Sequence, residues 1–243
     1  MSLRLINALS SPYGRKVAVA LKEKAIPFDV TFDVPWGDDT CVAKHSPLEQ
    51  LPILILDDKT TVFDSSFILE WLEVRYPNPP LLPSDPEQAL ATRFLKLLGE
   101  RVMEAIHAIV FELQRAEPSQ PFVDRQSRKV RRGLAEIEAT IERRHPVAGI
   151  EIDIGDIAVG TMLLLVPFLI RKSHRRRSWR DASPRTSPKM AVSRYHRRVA
   201  KRDFVLARDF RIGLLTRDSY GASPEPVAIV RRQHLWPRFE VVN

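Results

Sequence analysis

The chain has 243 residues, 44% of them apolar, enough to bury a substantial core as one large domain or two small ones. Its formal charge of +8 belongs to the tail: residues 1–170 carry 19 Lys and Arg against 24 Asp and Glu, and residues 171–243 carry 19 against 6. The single cysteine, Cys41, excludes an internal disulfide and a zinc site built from several thiolates, and points to a reducing compartment.

Taken in order, residues 3–7 and 28–32 read as strands flanking a helix that carries Val17, Ala20 and Leu21, a βαβ unit. The N-terminus opens directly on the first of these runs, without the pattern of a signal peptide. Ser10-Ser11-Pro12-Tyr13-Gly14 lies between strand and helix. Pro12 suits the first helical position, where a missing N–H costs nothing, and Ser11 suits the N-cap. A hydroxyl at the positive end of a helix is well placed to hold an anion.

A polar loop and a short helix follow, then Ile53–Leu56 and Thr60–Phe63, separated by Asp57-Asp58-Lys59, which predict a β-hairpin. A helix from about Ser65 to Arg75 is expected to bury Phe67, Ile68, Trp71 and Leu72. The proline-rich stretch 78–86 predicts a stiff linker. Beyond it, Leu90, Phe94, Leu98, Val102, Ala105, Ile109 and Leu113 recur at helical spacing, as do Val130, Leu134, Ile137 and Ile141. Asp153 and Asp156 fit a capping box, with Ile152 and Ile157 as its hydrophobic staple. The apolar run 157–170 is too short to span a membrane and contains Pro167, so it is expected to be a buried helix.

Three motifs in this order make the chain resemble a cytosolic glutathione S-transferase of the serine-dependent branch. They are Ser11-Pro12-Tyr13-Gly14-Arg15-Lys16-Val17, Ser46-Pro47-Leu48-Glu49-Gln50-Leu51-Pro52 before a strand, and Asp64-Ser65-Ser66 opening a helix. The linker, the helical second half and the Asp153/Asp156 box agree with it. The resemblance covers residues 1 to about 170. It implies an α/β N-terminal thioredoxin-like domain over 1–78 that binds glutathione, a linker over 79–86 and an all-α helical-bundle domain over 87–210, with an unrecognised basic tail over 211–243.

It also implies conjugation of glutathione to small, mostly apolar electrophiles, with glutathione as co-substrate and no metal or resident cofactor. Ser11 would donate its hydroxyl hydrogen to the sulfur. Lowering a thiol pKa of about 8.5 by ~2 requires roughly 2.7 kcal/mol. A hydrogen bond to a charged acceptor supplies roughly 1.5–3 kcal/mol and a helix end about 0.3–1, so no metal or base is required. Residue chemistry alone leaves open that Ser11 only caps its helix, or that Ser10 acts instead.

Leu51-Pro52 would be a cis-proline turn that pairs with the cysteinyl backbone, the alternative being an ordinary trans proline starting an edge strand. Ser65 would bind the γ-glutamyl carboxylate and Asp64 the ammonium, unless Asp64 merely caps the helix. The family more often has Glu or Gln where Asp64 stands, and a lysine where Gln50 stands, so Lys44 or His45 would assist Gln50 with the glycyl carboxylate. Cys41 lies away from position 11, where thiol–disulfide chemistry would need it, so conjugation is preferred.

A cytoplasmic homodimer without membrane attachment is expected on the same resemblance. The alternative is a binding or scaffold protein that keeps the fold without turnover. For the arginine-rich tail three accounts stand: a closing helix with a variable extension, a reading-frame disruption after about Ile170, or a basic arm. Nucleic-acid binding by that tail is not expected.

Overall fold

In a computed structural model the described residues are 3–145 and 147–164. Expectations for the end of the 157–170 helix, for the helical domain out to 210 and for the basic tail lie outside them. Strand β1 (Leu3–Asn7) leads into helix α1 (Pro12–Glu23) and strand β2 (Phe28–Phe32). A single turn of 3-10 helix at Val42–Lys44 precedes β3 (Ile53–Ile55), β4 (Thr61–Phe63) and α2 (Ser65–Arg75). Helices α3 (Pro86–Glu112), α4 (Gln120–Arg143) and α5 (Ile154–Leu163) follow. This is the thioredoxin-like mixed sheet with helices, followed by a helical unit.

The sheet order is β2-β1-β3-β4. β1 runs parallel to β2 and antiparallel to β3, and β3 pairs antiparallel with β4. Ile6 lies opposite Ile53, and Ile53 opposite Phe63. That register brings the chain leaving β1, the chain entering β3 and the chain leaving β4 to one end of the sheet. The parallel β2 leaves at that end too.

The hairpin strands are shorter than expected, because Leu56 N donates to Thr60 O and Lys59 N to Leu56 O, which turns the intervening residues into the loop. Pro86, expected in the linker, is the first residue of α3, and Asp85 caps it through Gln88 N at 2.9 Å. The α5 box is complete: Asp153 Oδ1 accepts from Gly155 N and Asp156 N, and Asp156 Oδ2 accepts from Asp153 N. Arg144 pairs with both carboxylates and donates to Thr92 Oγ1 of α3, tying the box to its neighbour.

Two apolar stripes differ from expectation. On α2 the buried side chains are Ile68, Leu69 and Leu72, and Phe67 is 59% exposed. On the first half of α3, Leu90 (59%) and Phe94 (46%) face outward, and the buried row is Ala89, Thr92, Leu95, Lys96 and Gly99. The reason is close packing against α5. A Cβ on Gly99 would lie 3.0 Å from the backbone of Ala158 and Val159, so this crossing selects small and polar residues over large apolar ones. The main core crosses the linker, since Leu5, Val17, Leu21, Leu69 and Leu72 form one buried cluster with Leu81, Ile152, Ile154 and Ile157.

Candidate active site

Ser11 is the N-cap of α1, with extended backbone (φ −75°, ψ 116°). It is half-buried, whereas Ser10 beside it is exposed. The Ser11 side-chain oxygen accepts from Gly14 N at 3.3 Å and its carbonyl accepts from Arg15 N at 3.2 Å. Capping and donation are compatible, because the cap uses a lone pair of the oxygen and leaves its hydrogen available.

The Leu51–Pro52 bond is cis. Leu51 is half-buried and Pro52 buried just before β3, whose pairing with β1 starts at Ile53. At the end of β4, Asp64 has φ 66° and caps α2: its Oδ1 accepts from Ser66 N at 2.8 Å and Phe67 N at 3.1 Å. Ser65 is buried at the first helical position. Sheet register therefore brings Ser11, Leu51-Pro52 and Asp64-Ser65 to the same end of the molecule, from three separate stretches of chain. Gln50 and Lys44 are exposed, Lys44 ending the 3-10 turn, and His45 is half-buried.

Cys41 Sγ donates to Asp33 Oδ2 at 3.0 Å. That bond to a carboxylate, then burial, pushes the thiol above its ordinary pKa, which makes Cys41 a poor nucleophile. Burial works against the Asp33 charge, but hydrogen bonds from Cys41, Thr40 and Val34 outweigh it and hold the carboxyl below its usual range. Asp33 thereby closes the loop 33–41 on itself.

An aromatic row that starts at Tyr13, two residues after Ser11, was not visible in the sequence. Tyr13 stacks on His107 of α3 at 5.2 Å, His107 lies 6.3 Å from Phe111, and Phe111 meets the edge of Trp36 at 6.4 Å. Burial lowers the His107 pKa, so the ring is neutral at pH 7. Burial, followed by the charges of Glu104 and Glu100, raises that of Tyr13. The available signal was the i, i+4 spacing of His107 and Phe111, off the main apolar stripe. Also missed was a buried ion pair between Lys16 of α1 and Glu100 of α3.

Among the described residues no three His, Cys, Asp or Glu side chains converge as metal ligands, and no helix is long and apolar enough to cross a membrane.

The description "Glutathione S-transferase, N-terminal domain" matches residues 10–75, the segment that carries all three motifs. YibF of Escherichia coli, described as an uncharacterized GST-like protein, is 33% identical over 56% of this chain and 68% of its own length. A glutathione S-transferase from Methylobacterium radiotolerans, solved in complex with glutathione sulfonate, is 41% identical with a TM-score of 0.65, covering 77% of this chain and 97% of that one. The chain belongs to the glutathione S-transferase family. A second family member, from Methylobacillus flagellatus with glutathione bound, is 31% identical with a TM-score of 0.65 over 75% of this chain and 99% of its own.

Proposed function

We propose that this transferase-family protein binds glutathione at the sheet end formed by Ser11, Leu51-Pro52 and Asp64-Ser65, and conjugates its sulfur to small apolar electrophiles. The observation that carries the reading is the half-buried Ser11 hydroxyl at the positive end of α1, with its oxygen engaged by Gly14 N and its hydrogen available for an anion.

In the proposed reaction the thiol proton leaves to solvent and the thiolate accepts the Ser11 O–H. Sulfur then attacks an electrophilic carbon, forming a C–S bond as the bond to the leaving group breaks with its electron pair. The backbone of Leu51, just before β3, takes the cysteinyl segment as an added strand. The first turn of α2 takes the γ-glutamyl carboxylate, with Asp64 toward the ammonium, while Lys44 and Gln50 serve the glycyl carboxylate. The aromatic row Tyr13–His107–Phe111–Trp36 is the wall for the electrophile, favouring flat apolar groups. The reaction as written needs only the tripeptide, the electrophile and these side chains.

Two copies are proposed to associate through the exposed apolar faces of α2 and α3. The test of function is retention on immobilised glutathione together with conjugation assays on halide and epoxide substrates. Retention with turnover of at least one class is expected. Retention without turnover would favour the scaffold reading, and loss of retention would end the glutathione reading altogether.

A further inference from the structure

Asn7 ends β1 more than nine-tenths buried, and its Oδ1 has no hydrogen-bond partner among the described residues. Its backbone carbonyl accepts from Asp33 N at 3.0 Å, which ties the strand end to the loop 33–41. Its side chain lies against Gly14, the third residue of α1, where a Cβ would stand 1.7 Å from Asn7 Oδ1 and 2.0 Å from Cγ. The carboxamide thus fills the place that any other residue at position 14 would need for its own side chain. Gly14 N is in turn the donor to Ser11 Oγ. Strand end, carboxamide, glycine and Ser11 hydroxyl form one chain of contacts.

Stability does not account for the pair, because both partners cost. Inside a helix glycine is about 1 kcal/mol less favourable than alanine, and a buried polar atom without a partner costs about 1–3 kcal/mol. Alanine at both positions would avoid both costs. Leucine at position 7 would remove the orphaned oxygen, but its methyl groups are bulkier than a planar amide and would overpack the same space.

What the Asn7–Gly14 pair provides, and two alanines would not, is closeness. With no Cβ between them, the first turn of α1 settles onto the end of β1. That turn carries the N–H that engages the Ser11 oxygen, so its height above the sheet decides where the hydroxyl stands. Hydrogen bonds weaken steeply off line, and misplacing a reacting group by ~1 Å costs on the order of a hundredfold.

We propose that Asn7 is a positioning residue for Ser11: through Gly14 it seats the first turn of α1 against the sheet, and so sets how well the Ser11 hydroxyl holds the glutathione sulfur as a thiolate. The inference rests on the glutathione reading above and adds to it a buried residue that acts through Ser11 rather than on the tripeptide.

The decisive variant is N7A/G14A, which removes both costs and puts a Cβ between turn and strand. It is expected to melt no lower than the wild type. The midpoint of thiolate formation in bound glutathione, followed by ultraviolet absorbance against pH, should rise by about half to one pH unit, and conjugation at pH 7 should fall about threefold to tenfold. Its Kd for S-methylglutathione, which has no thiol to ionise, should stay within about twofold of the wild type. A merely structural contact would leave the midpoint where it is, so an unchanged midpoint in the folded variant overturns the proposal. A matching loss of S-methylglutathione affinity overturns it too, since the whole site would then have shifted. Should the double variant not fold, Asn7→Ala removes only the wedge and is expected to move the midpoint in the same direction; an unchanged midpoint there is equally fatal. A wild-type protein with no affinity for glutathione would bring down the site reading and this one together. A midpoint that moves in Ser11→Ala but not in the Asn7 variants removes only the role of Asn7.

Discussion

At the scale of single residues, the Ser11 oxygen has two demands on it, the Gly14 N–H and a sulfur anion, and they separate by experiment. Ser11→Ala loses the cap, worth about 1 kcal/mol of stability, and loses the donor, worth roughly 1.5–3 kcal/mol of thiolate stabilisation. Conjugation at pH 7 should fall about tenfold to a hundredfold, by 1.36 kcal/mol per decade, with only a small change in the urea midpoint. The ascending limb of its pH–rate profile should move up toward the free thiol, about 8.5, so that variant and wild type converge at high pH. Parallel profiles with no such convergence would remove Ser11 from thiol ionisation. Ser11 and Asp64 were legible in the sequence because capping is local, decided within three residues. Lys16 and Glu100 were not, because the two stand 84 positions apart and each reads as an ordinary surface charge until the helices are brought together.

At the scale of elements, the loop 33–41 depends on one carboxylate. Asp33 accepts from Val34 N at 2.6 Å, Cys41 N at 2.9 Å and Cys41 Sγ at 3.0 Å, and the loop carries Trp36 to Phe111. Its folded pKa lies below the unfolded value of about 3.9, so its contribution to stability is fully present above about pH 4 and is lost as pH falls through the folded value. Asp33→Asn should therefore be less stable than the wild type in urea at pH 7, with the gap closing in acid. A gap that persists unchanged at pH 3 or below would mean the charge is not what holds the loop. The α3–α5 crossing makes a second demand: Gly99→Ala should cost about 1–3 kcal/mol in urea melts as the helices part, and a neutral result would show that the crossing yields freely. The strands, the helix order and the α5 capping box were readable from period and turn chemistry. The faces of α2 and α3 were not, because counting apolar residues finds a stripe without saying what it meets.

At the scale of the whole molecule, the linker does not separate two cores. Ile152, Ile154 and Ile157 complete the buried cluster of the thioredoxin-like unit, and Ile154 N donates to Leu81 O at 3.0 Å. The helical unit thus braces the sheet. The apolar side chains displaced from the core collect on the outside: Leu90, Phe94 and Leu97 at helical spacing on α3, Phe67 and Val74 on α2. Glu70 lies between Phe67 and Val74 and pairs with Arg93 and Lys96, so the two exposed rows are neighbours and form one surface. Apolar side chains gathered on one surface and edged by charges favour burial against a second copy. Phe94→Glu places a charge in the middle of that surface without touching the core. Sedimentation should show the wild type as a dimer and this variant as a monomer with its helical content kept. A monomeric wild type would end the dimer reading, and a variant that stays dimeric would move the association to another face.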